Sequence, residues 1–136
     1  MEEVGYLLGG GTPSTNHPEY WDGKIPWVCP KDMKRDFITQ TIDTLTKAGV
    51  ENSSTKMIPL GSILFVVRGM ILAHTFPVAI NSVPVAVNQD MKALVPFIPE
   101  MNIFIKKMLE AFAPKILSLT NTSTHGTKRL EYDHSY

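Results

Sequence analysis

The residue types that most often ligate metals are scattered along this chain of 136 residues. Zinc ligands usually occur in pairs a few residues apart, as in Cys-x-x-Cys or His-x-x-x-His. The sequence contains no such pair, and these residues stand singly at His17, Cys29, His74, His125 and His134. The spacing therefore predicts no metal site.

Two other features suggest catalysis or phosphate binding, but both lack the pattern that this chemistry requires. Cys29 lies beside Lys31 and could be a nucleophile with a lowered pKa, although a lone cysteine is more often a small buried apolar residue. The glycines at 9–11 lack the Gly-Lys-Ser/Thr ending of a P-loop and the Gly-x-Gly-x-x-Gly fingerprint. Their backbone amides could still contact a nucleic-acid phosphate. The sequence predicts no enzyme and no cofactor.

Short polar and basic segments carry side chains that suit DNA. Small hydroxyls can bond phosphates or base edges, cations neutralise phosphates, and Arg, Asn and Gln form paired hydrogen bonds with bases. Arg68 directly follows an apolar run, which would give its guanidinium a rigid base, and Asn88 leaves a second predicted strand. The candidate DNA-binding residues are Thr12, Ser14, Thr15, Lys31, Lys34, Arg35, Arg68, Asn88, Gln89, Thr127, Lys128 and Arg129.

Each of these residues also has a simpler interpretation. Arg68 could only pair with an acid, Asn88 could only close a turn, and a run of charges is more often a solvated surface. Lys and Arg number 13, and so do Asp and Glu, so the net charge is zero. That balance excludes a protein that binds nucleic acid through bulk positive charge. Residues 1–23 hold four acids and no base, which leaves an excess of bases in the rest of the chain.

Length and composition predict one α+β domain over residues 1–136. Apolar residues make up 43% of the chain and charged residues 19%, which is enough for a core and too little charge for disorder. Prolines and glycines punctuate short apolar runs, so we expect short strands, long loops and one or two packed helices.

The cysteine count and the apolar segments bear on the cellular compartment of the protein. A single cysteine excludes an intramolecular disulfide and fits a reducing compartment. The acidic start differs from a basic secretory n-region, and the apolar stretch at 57–80 is interrupted too often to span a membrane. We therefore expect a soluble, cytoplasmic protein with no membrane partner.

Local patterns predict the strands that position the candidate residues. Proline places a strand at 25–28 at a sheet edge or at a strand start, and alternation predicts a half-buried strand over 37–42. The unbroken apolar run at 63–67 is typical of a strand buried on both faces. The similar segments at 77–81 and 84–88 are interpreted as two strands joined around Asn81 and Ser82.

Two helices are predicted. Thr44 is expected to cap a short helix that Gly49 ends. Helical spacing extends over 100–119, where Pro114 is expected to kink or end the helix near Phe112, and Lys106 lies outside the apolar face. The predicted apolar stripe of this helix consists of Ile103, Ile105, Met108, Leu109 and Phe112.

Several motifs together resemble a known family. The glycine loop Gly10-Gly11-Thr12-Pro13-Ser14-Thr15 is followed by the run EYWDGKIPWVCPKDM at 19–33. PLGSIL at 59–64, VRG at 67–69, VNQDMKAL at 87–94 and TSTHGT at 122–127 come next. In this order and at this spacing, the motifs resemble a target recognition domain from the specificity subunit of type I restriction-modification systems, and the resemblance covers nearly the whole chain.

The resemblance implies a curved, mostly antiparallel sheet and a domain that is itself non-catalytic. Such a domain reads one half of a split site in double-stranded DNA, largely through the major groove. It also implies partner subunits: modification subunits, which bind S-adenosylmethionine and methylate adenine, and a restriction subunit with nuclease activity.

The sequence departs from the family pattern in three respects. It has one recognition domain, whereas full-length members have two that are separated by helical spacers. We expect it to lack both the strand that usually precedes the glycine loop and the long helix that would follow residue 127. Cys29 stands where serine is commoner. The chain thus resembles a single-domain or truncated form.

Three hypotheses follow. In the first, Lys31, Lys34, Lys128 and Arg129 contact phosphates, and Arg68, Asn88 and Gln89 read bases. In the second, the chain is a protein-interaction fragment that forms a homo-oligomer through the stripe at 103–112 and does not bind DNA independently. In the third, Cys29 is the nucleophile of an unrecognised enzyme.

Overall fold

The computed structural model describes residues 3–69 and 75–122, with side chains up to residue 113, and places eight strands and two α-helices in these ranges. The elements are, in chain order, β1 (Gly5–Gly9), β2 (Trp21–Val28), β3 (Phe37–Ile38), β4 (Asp43–Leu45), α1 (Lys47–Glu51), β5 (Ile63–Val66), β6 (Val78–Asn81), β7 (Ala86–Val87), β8 (Met91–Pro96) and α2 (Asn102–Thr122). The α+β class predicted from the sequence is confirmed. The strands are divided between two sheets, which the sequence did not predict.

The larger sheet has five strands in the order β1-β8-β5-β6-β3, and β5 lies at its centre. All four residues of β5 are buried, as the apolar run predicts. Leu64 of β5 lies opposite Ala93 of β8 on one side and Ala79 of β6 on the other, both in antiparallel register. The centre of this sheet is therefore apolar on both faces, and β5 gives the residues that follow it a rigid base.

β1 precedes the glycine loop and pairs with β8 along its whole length. The expectations that this strand is absent and that Gly9 belongs to the loop are therefore wrong. Gly9 ends β1 opposite Lys92, and the loop begins at Gly10.

The smaller sheet has the order β4-β2-β7, so β2 is its central strand. The prediction that proline marks a sheet edge or a strand start is wrong, because Pro26 lies inside this central strand. Pro26 pairs with Thr44 of β4, whereas the parallel pairing with β7 begins one residue later, at Trp27 and Ala86. Proline has no N–H to donate, but Pro26 precedes the pairing with β7, so no hydrogen bond of that pairing is lost.

The strand predicted over 37–42 ends at Ile38, and the chain then crosses to the other sheet. The side chain of Thr41 makes two hydrogen bonds at the point where the chain enters the second sheet. The hydroxyl of Thr41 accepts from the backbone N–H of Trp27 at 3.1 Å and donates to the carbonyl of Asp43 at 2.6 Å. The alternation of apolar and polar residues gave no sign of this switch.

α1 begins two residues later than predicted, because Thr46 is its cap. The Thr46 hydroxyl accepts from the N–H of Gly49, which lies inside the helix and does not end it. The interpretation of 77–81 and 84–88 as two strands is confirmed, although β6 and β7 belong to different sheets.

α2 packs against the larger sheet through Ile105 and Leu109, which are both buried. Ile103 and Phe112 were expected on this face but are 42% and 57% exposed. The helix also continues past Pro114 to Thr122, so this proline does not end it. No helix in the described part of the chain is long and apolar enough to cross a membrane.

Lys106 of α2 is buried, contrary to its predicted place outside the apolar face. Its ammonium lies 2.6 Å from a carboxylate oxygen of Glu110 and 3.2 Å from one of Asp36. Burial acts to lower the pKa of Lys106, but the hydrogen bonds to these two acids outweigh it and raise the pKa. The ion pair joins α2 to the residue that leads into β3.

Candidate nucleic-acid interface

Four chain segments meet at one edge of the molecule because β2 and β7 run parallel and end together. Val28 lies opposite Val87, and the N–H of Asn88 donates to the carbonyl of Val28 at 3.0 Å. The chain after β5 reaches the same place, where the N–H of Val67 donates to the carbonyl of Asp90 at 2.9 Å. The residues that follow β2, β5 and β7 are therefore neighbours.

The glycine loop is the fourth segment and lies directly on the end of β7. The N–H of Gly11 donates to the carbonyl of Val87 at 3.2 Å, and the indole N–H of Trp27 donates to the carbonyl of Gly11 at 3.1 Å. A Cβ at Gly10 would lie 2.1 Å from the carbonyl oxygen of Val87, so only glycine permits this approach. As a result, the exposed Thr12 hydroxyl donates to the side-chain oxygen of Gln89.

The hydroxyl residues beyond Thr12 are also exposed. Ser14 is held by its backbone, because its carbonyl accepts from the indole N–H of Trp21 at 3.0 Å. The ring of Trp21 meets that of Trp27 edge-on, with 5.1 Å between centroids. The two tryptophans thus support the loop from beneath, and the side chains of Ser14 and Thr15 remain at the surface.

Arg68 is held by the turn that follows β7. Its Nε donates to Asp90 Oδ1 at 3.0 Å, and its Nη2 donates to the carbonyl of Gln89 at 3.0 Å. Asn88 is buried, and its side-chain oxygen accepts from the N–H of Asp90 at 2.9 Å. Both simpler interpretations are therefore present in the structure: Arg68 pairs with an acid and Asn88 closes a turn. Base reading by these residues stays a prediction.

Asp90 is the residue of this cluster that the sequence did not single out. Its carboxylate orients Arg68, and its carbonyl anchors the chain after β5. Asn88 two positions earlier is a local signal for a turn at this point. No local signal links Asp90 to Arg68, which lies in a different segment.

The predicted basic residues at 31–35 differ in how they are engaged. Lys31 forms an ion pair of 2.8 Å with Asp43, and this hydrogen bond raises the pKa of Lys31. Lys34 and Arg35 are exposed and form no ion pair with any residue of 3–69 or 75–122. These two cations are therefore available to an anion from outside the chain.

Cys29 lies between the basic residues and the turn after β7, and its environment opposes nucleophilic chemistry. The side chain is buried, and the thiol lies 3.9 Å from the carbonyl oxygen of Trp27. Burial, and then the negative charge of Asp32, raise the pKa of Cys29 to about 12. A cysteine nucleophile needs the opposite shift, so the third hypothesis loses its physical basis.

Some candidate residues lie outside the described residues: Thr127, Lys128, Arg129, His74, His125 and His134. Within the described ranges, no group of three or more His, Cys, Asp or Glu side chains could hold a metal ion. His17 instead pairs with Glu19 at 3.1 Å and stacks on the ring of Tyr20.

Known proteins share sequence with this chain. Residues 1–131 match the family model described as the type I restriction modification DNA specificity domain. The chain is 49% identical over 107 residues to the Escherichia coli EcoR124I/EcoR124II type I restriction enzyme specificity subunit, covering 78% of this chain and 26% of that subunit. It is 34% identical over 99 residues to the MjaIX type I restriction enzyme specificity subunit of Methanocaldococcus jannaschii, and this match covers 71% of this chain and 22% of that subunit.

Solved structures show the same fold. The crystal structure of the HsdS subunit from Thermoanaerobacter tengcongensis matches with a TM-score of 0.59 at 16% identity, over 96% of this chain and 32% of that chain. A second match comes from a structural study of complex assembly and conformational transition of the type I R-M system. Its TM-score is 0.59 at 14% identity, over 94% of this chain and 29% of that chain. This chain spans about a quarter to a third of the length of these proteins.

The raised pKa of Cys29 can be tested by alkylation. At about pH 8, iodoacetamide should modify the folded chain at least about tenfold more slowly than the same chain unfolded in urea, because the thiolate is the attacking form. Mass spectrometry measures the rate at this single cysteine. Equal rates in the two states would contradict the buried, neutral thiol.

Proposed function

The chain belongs to the family of type I restriction modification DNA specificity domains, and we propose that it is a sequence-specific DNA-binding module that reads one half of a bipartite site. The observation that carries this proposal is the meeting of four segments at one edge. There, hydrogen bonds join Thr12, Gln89 and Arg68 into one cluster. Lys31 lies three residues after Val28, the end of β2, whose carbonyl accepts from the N–H of Asn88.

Arg68 is the principal base-reading residue in this proposal. Asp90 holds its Nε and Gln89 holds one Nη2 donor, which fixes the plane of the guanidinium. The Nη1 donors have no partner among the described residues. They can therefore donate hydrogen bonds to the acceptors of guanine while the side chain keeps its rotamer. Gln89 lies beside it with an exposed amide of the kind that reads adenine.

Phosphate contacts set the register of the module on DNA. Lys34 and Arg35 are exposed cations that form no ion pair within the described residues, and Lys31, Lys128 and Arg129 are the further candidates. Thr12, Ser14 and Thr15 supply hydroxyls to phosphates or base edges. The buried Asn88 acts mainly by shaping the turn that presents Gln89.

The wider role follows from the relatives, of which this chain spans only a part. We propose that the module directs partner modification and restriction subunits to its DNA site in the cytoplasm. The module itself does no covalent chemistry and needs no cofactor. The non-catalytic role fits a site whose thiol is buried with a raised pKa, and whose cations and amides are suited to binding DNA.

Two substitutions separate the proposed roles. Arg68→Ala should cost about 1–3 kcal/mol on a duplex selected from a random pool and should relax one position of the preferred sequence. Lys34→Ala should weaken binding to all duplexes alike and reduce the slope of log K against log salt by about one, measured from about 50 to 200 mM. Lys47→Ala is the matched control, since the side chain of Lys47 is 86% exposed, pairs among the described residues only with Glu51, at 4.0 Å, and lies beyond the opposite end of β4 from Lys31.

The proposal fails if Arg68→Ala and Lys34→Ala leave affinity, base preference and salt slope unchanged. It also fails if Lys47→Ala lowers the salt slope as much as Lys34→Ala does, because binding would then depend on charge without position.

A second candidate function rests on the outer face of α2. Ile103, Phe104 and Phe112 are 42%, 57% and 57% exposed, which is unusual for large apolar side chains on one helix. We propose, as the alternative, that this face mediates self-association of the chain.

Sedimentation velocity distinguishes the two candidates. The DNA-binding function predicts a complex with the selected duplex that dissociates as salt rises. Self-association predicts an oligomer that persists without DNA at about 1 M salt and is lost in Phe104→Ser, because apolar contacts are not screened. A chain that stays monomeric without DNA at high concentration rules out the alternative.

A further inference from the structure

A concavity of about 450 Å³ opens between the turn at 30–32 and the chain that crosses from β3 to β4. We call it the β3–β4 concavity. The residues that give it its chemistry are Lys31, Lys34, Arg35, Phe37, Gln40 and Ile42. Apart from the cations, none of these was a candidate in the sequence, where 37–42 was expected to form a strand.

The base of the β3–β4 concavity is fixed by hydrogen bonds. The carboxylate of Asp32 accepts from the N–H of Cys29 at 2.9 Å and from the N–H of Ile42 at 3.0 Å, so it joins the two walls. Thr41 bonds to β2 and β4 as described above. At the other end, Asp36 is tied to Lys106 of α2. The backbone of the loop is therefore fixed before binding, and the entropy lost on binding is mainly that of the outer side chains.

The outer side chains combine apolar surface, an amide and positive charge. Phe37 is 50% exposed and Ile42 is 68% exposed, and neither packs into the core. The side chain of Gln40 is exposed and has no hydrogen-bond partner among the described residues. Lys34 and Arg35 add two cations that no described acid neutralises. A ligand that matches this set carries phosphates, flat or methylated apolar surface, and paired donors and acceptors.

DNA has all three properties, and the β3–β4 concavity includes a residue that lies three positions after the end of β2, where the four segments meet. Lys31 lines the concavity and directly follows Cys29 and Pro30, which leave the end of β2 beside Asn88. Lys31 therefore links the concavity to that edge along the chain.

We propose that the β3–β4 concavity is a second specificity-determining contact with DNA, an inference that rests on the proposed function. Lys34 and Arg35 hold a phosphate, Phe37 and Ile42 contact a deoxyribose or a thymine methyl, and Gln40 bonds to a base edge. The site read by the chain then extends beyond the bases that face Arg68 and Gln89.

The test compares Phe37→Ala and Gln40→Ala with Phe97→Ala on the duplex selected for the unmodified full chain. Phe97 is 59% exposed and follows β8, so it matches Phe37 in type and exposure but is not part of the concavity. Phe37→Ala should lower affinity about fivefold or more. Gln40→Ala, which removes an exposed side chain without partners, should relax one base position other than the position relaxed by Arg68→Ala. Phe97→Ala should do neither.

The outcomes separate this inference from the proposed function. If Arg68→Ala weakens binding while Phe37→Ala and Gln40→Ala change neither affinity nor preference, the β3–β4 concavity does not contact DNA and the proposed function stands. If the unmodified chain binds no duplex at any salt concentration, both fail. If Phe37→Ala instead changes the sedimentation of the chain without DNA, the concavity contacts another protein copy and the inference is wrong.

Discussion

The parallel pairing of β2 with β7 is the constraint on which the candidate surface depends. Parallel strands end at the same edge, so the residues after Val28 and after Val87 must be neighbours, although nearly 60 residues separate them in the sequence. The carbonyl of Val87 then accepts from Gly11 and from the hydroxyl of Thr55, which fixes the glycine loop to the same point. Only a residue without a Cβ fits at position 10, and this explains the glycine there.

The charge distribution at this surface explains how a chain of zero net charge could recognise DNA. Arg68 is matched by Asp90 and Lys31 by Asp43, so acids position two of the cations and offset their charge. The exposed Lys31–Asp43 pair contributes roughly 0–1 kcal/mol to folding, and the half-buried Arg68–Asp90 pair fixes the position of the guanidinium. Lys34 and Arg35 are left with free charge. Nonspecific electrostatic attraction would then supply little of the affinity for DNA. Side chains that are held in place would supply most of the selectivity between DNA sequences.

Local patterns predicted the elements whose structure depends on local forces. The apolar run at 63–67 became the central strand, and the helical spacing after residue 100 became α2. Positions that depend on distant partners were missed: Thr41 bonds to Trp27 of the other sheet, and the buried ammonium of Lys106 pairs with Asp36, which lies 70 residues earlier. The same holds at the candidate site. Residue types led to Arg68 and Gln89, but the partner that orients Arg68 and the concavity beside β3 arise only when the two sheets are assembled.

Amide hydrogen exchange of the full chain, with and without its selected duplex, tests most directly whether this edge is the DNA-contacting surface. The described segments at 11–15, 29–35 and 88–90 should exchange more slowly in the complex, and the stretch at 103–109 of α2 should exchange at the same rate in both states. Slowed exchange confined to α2, with these three segments unchanged, would contradict the assignment.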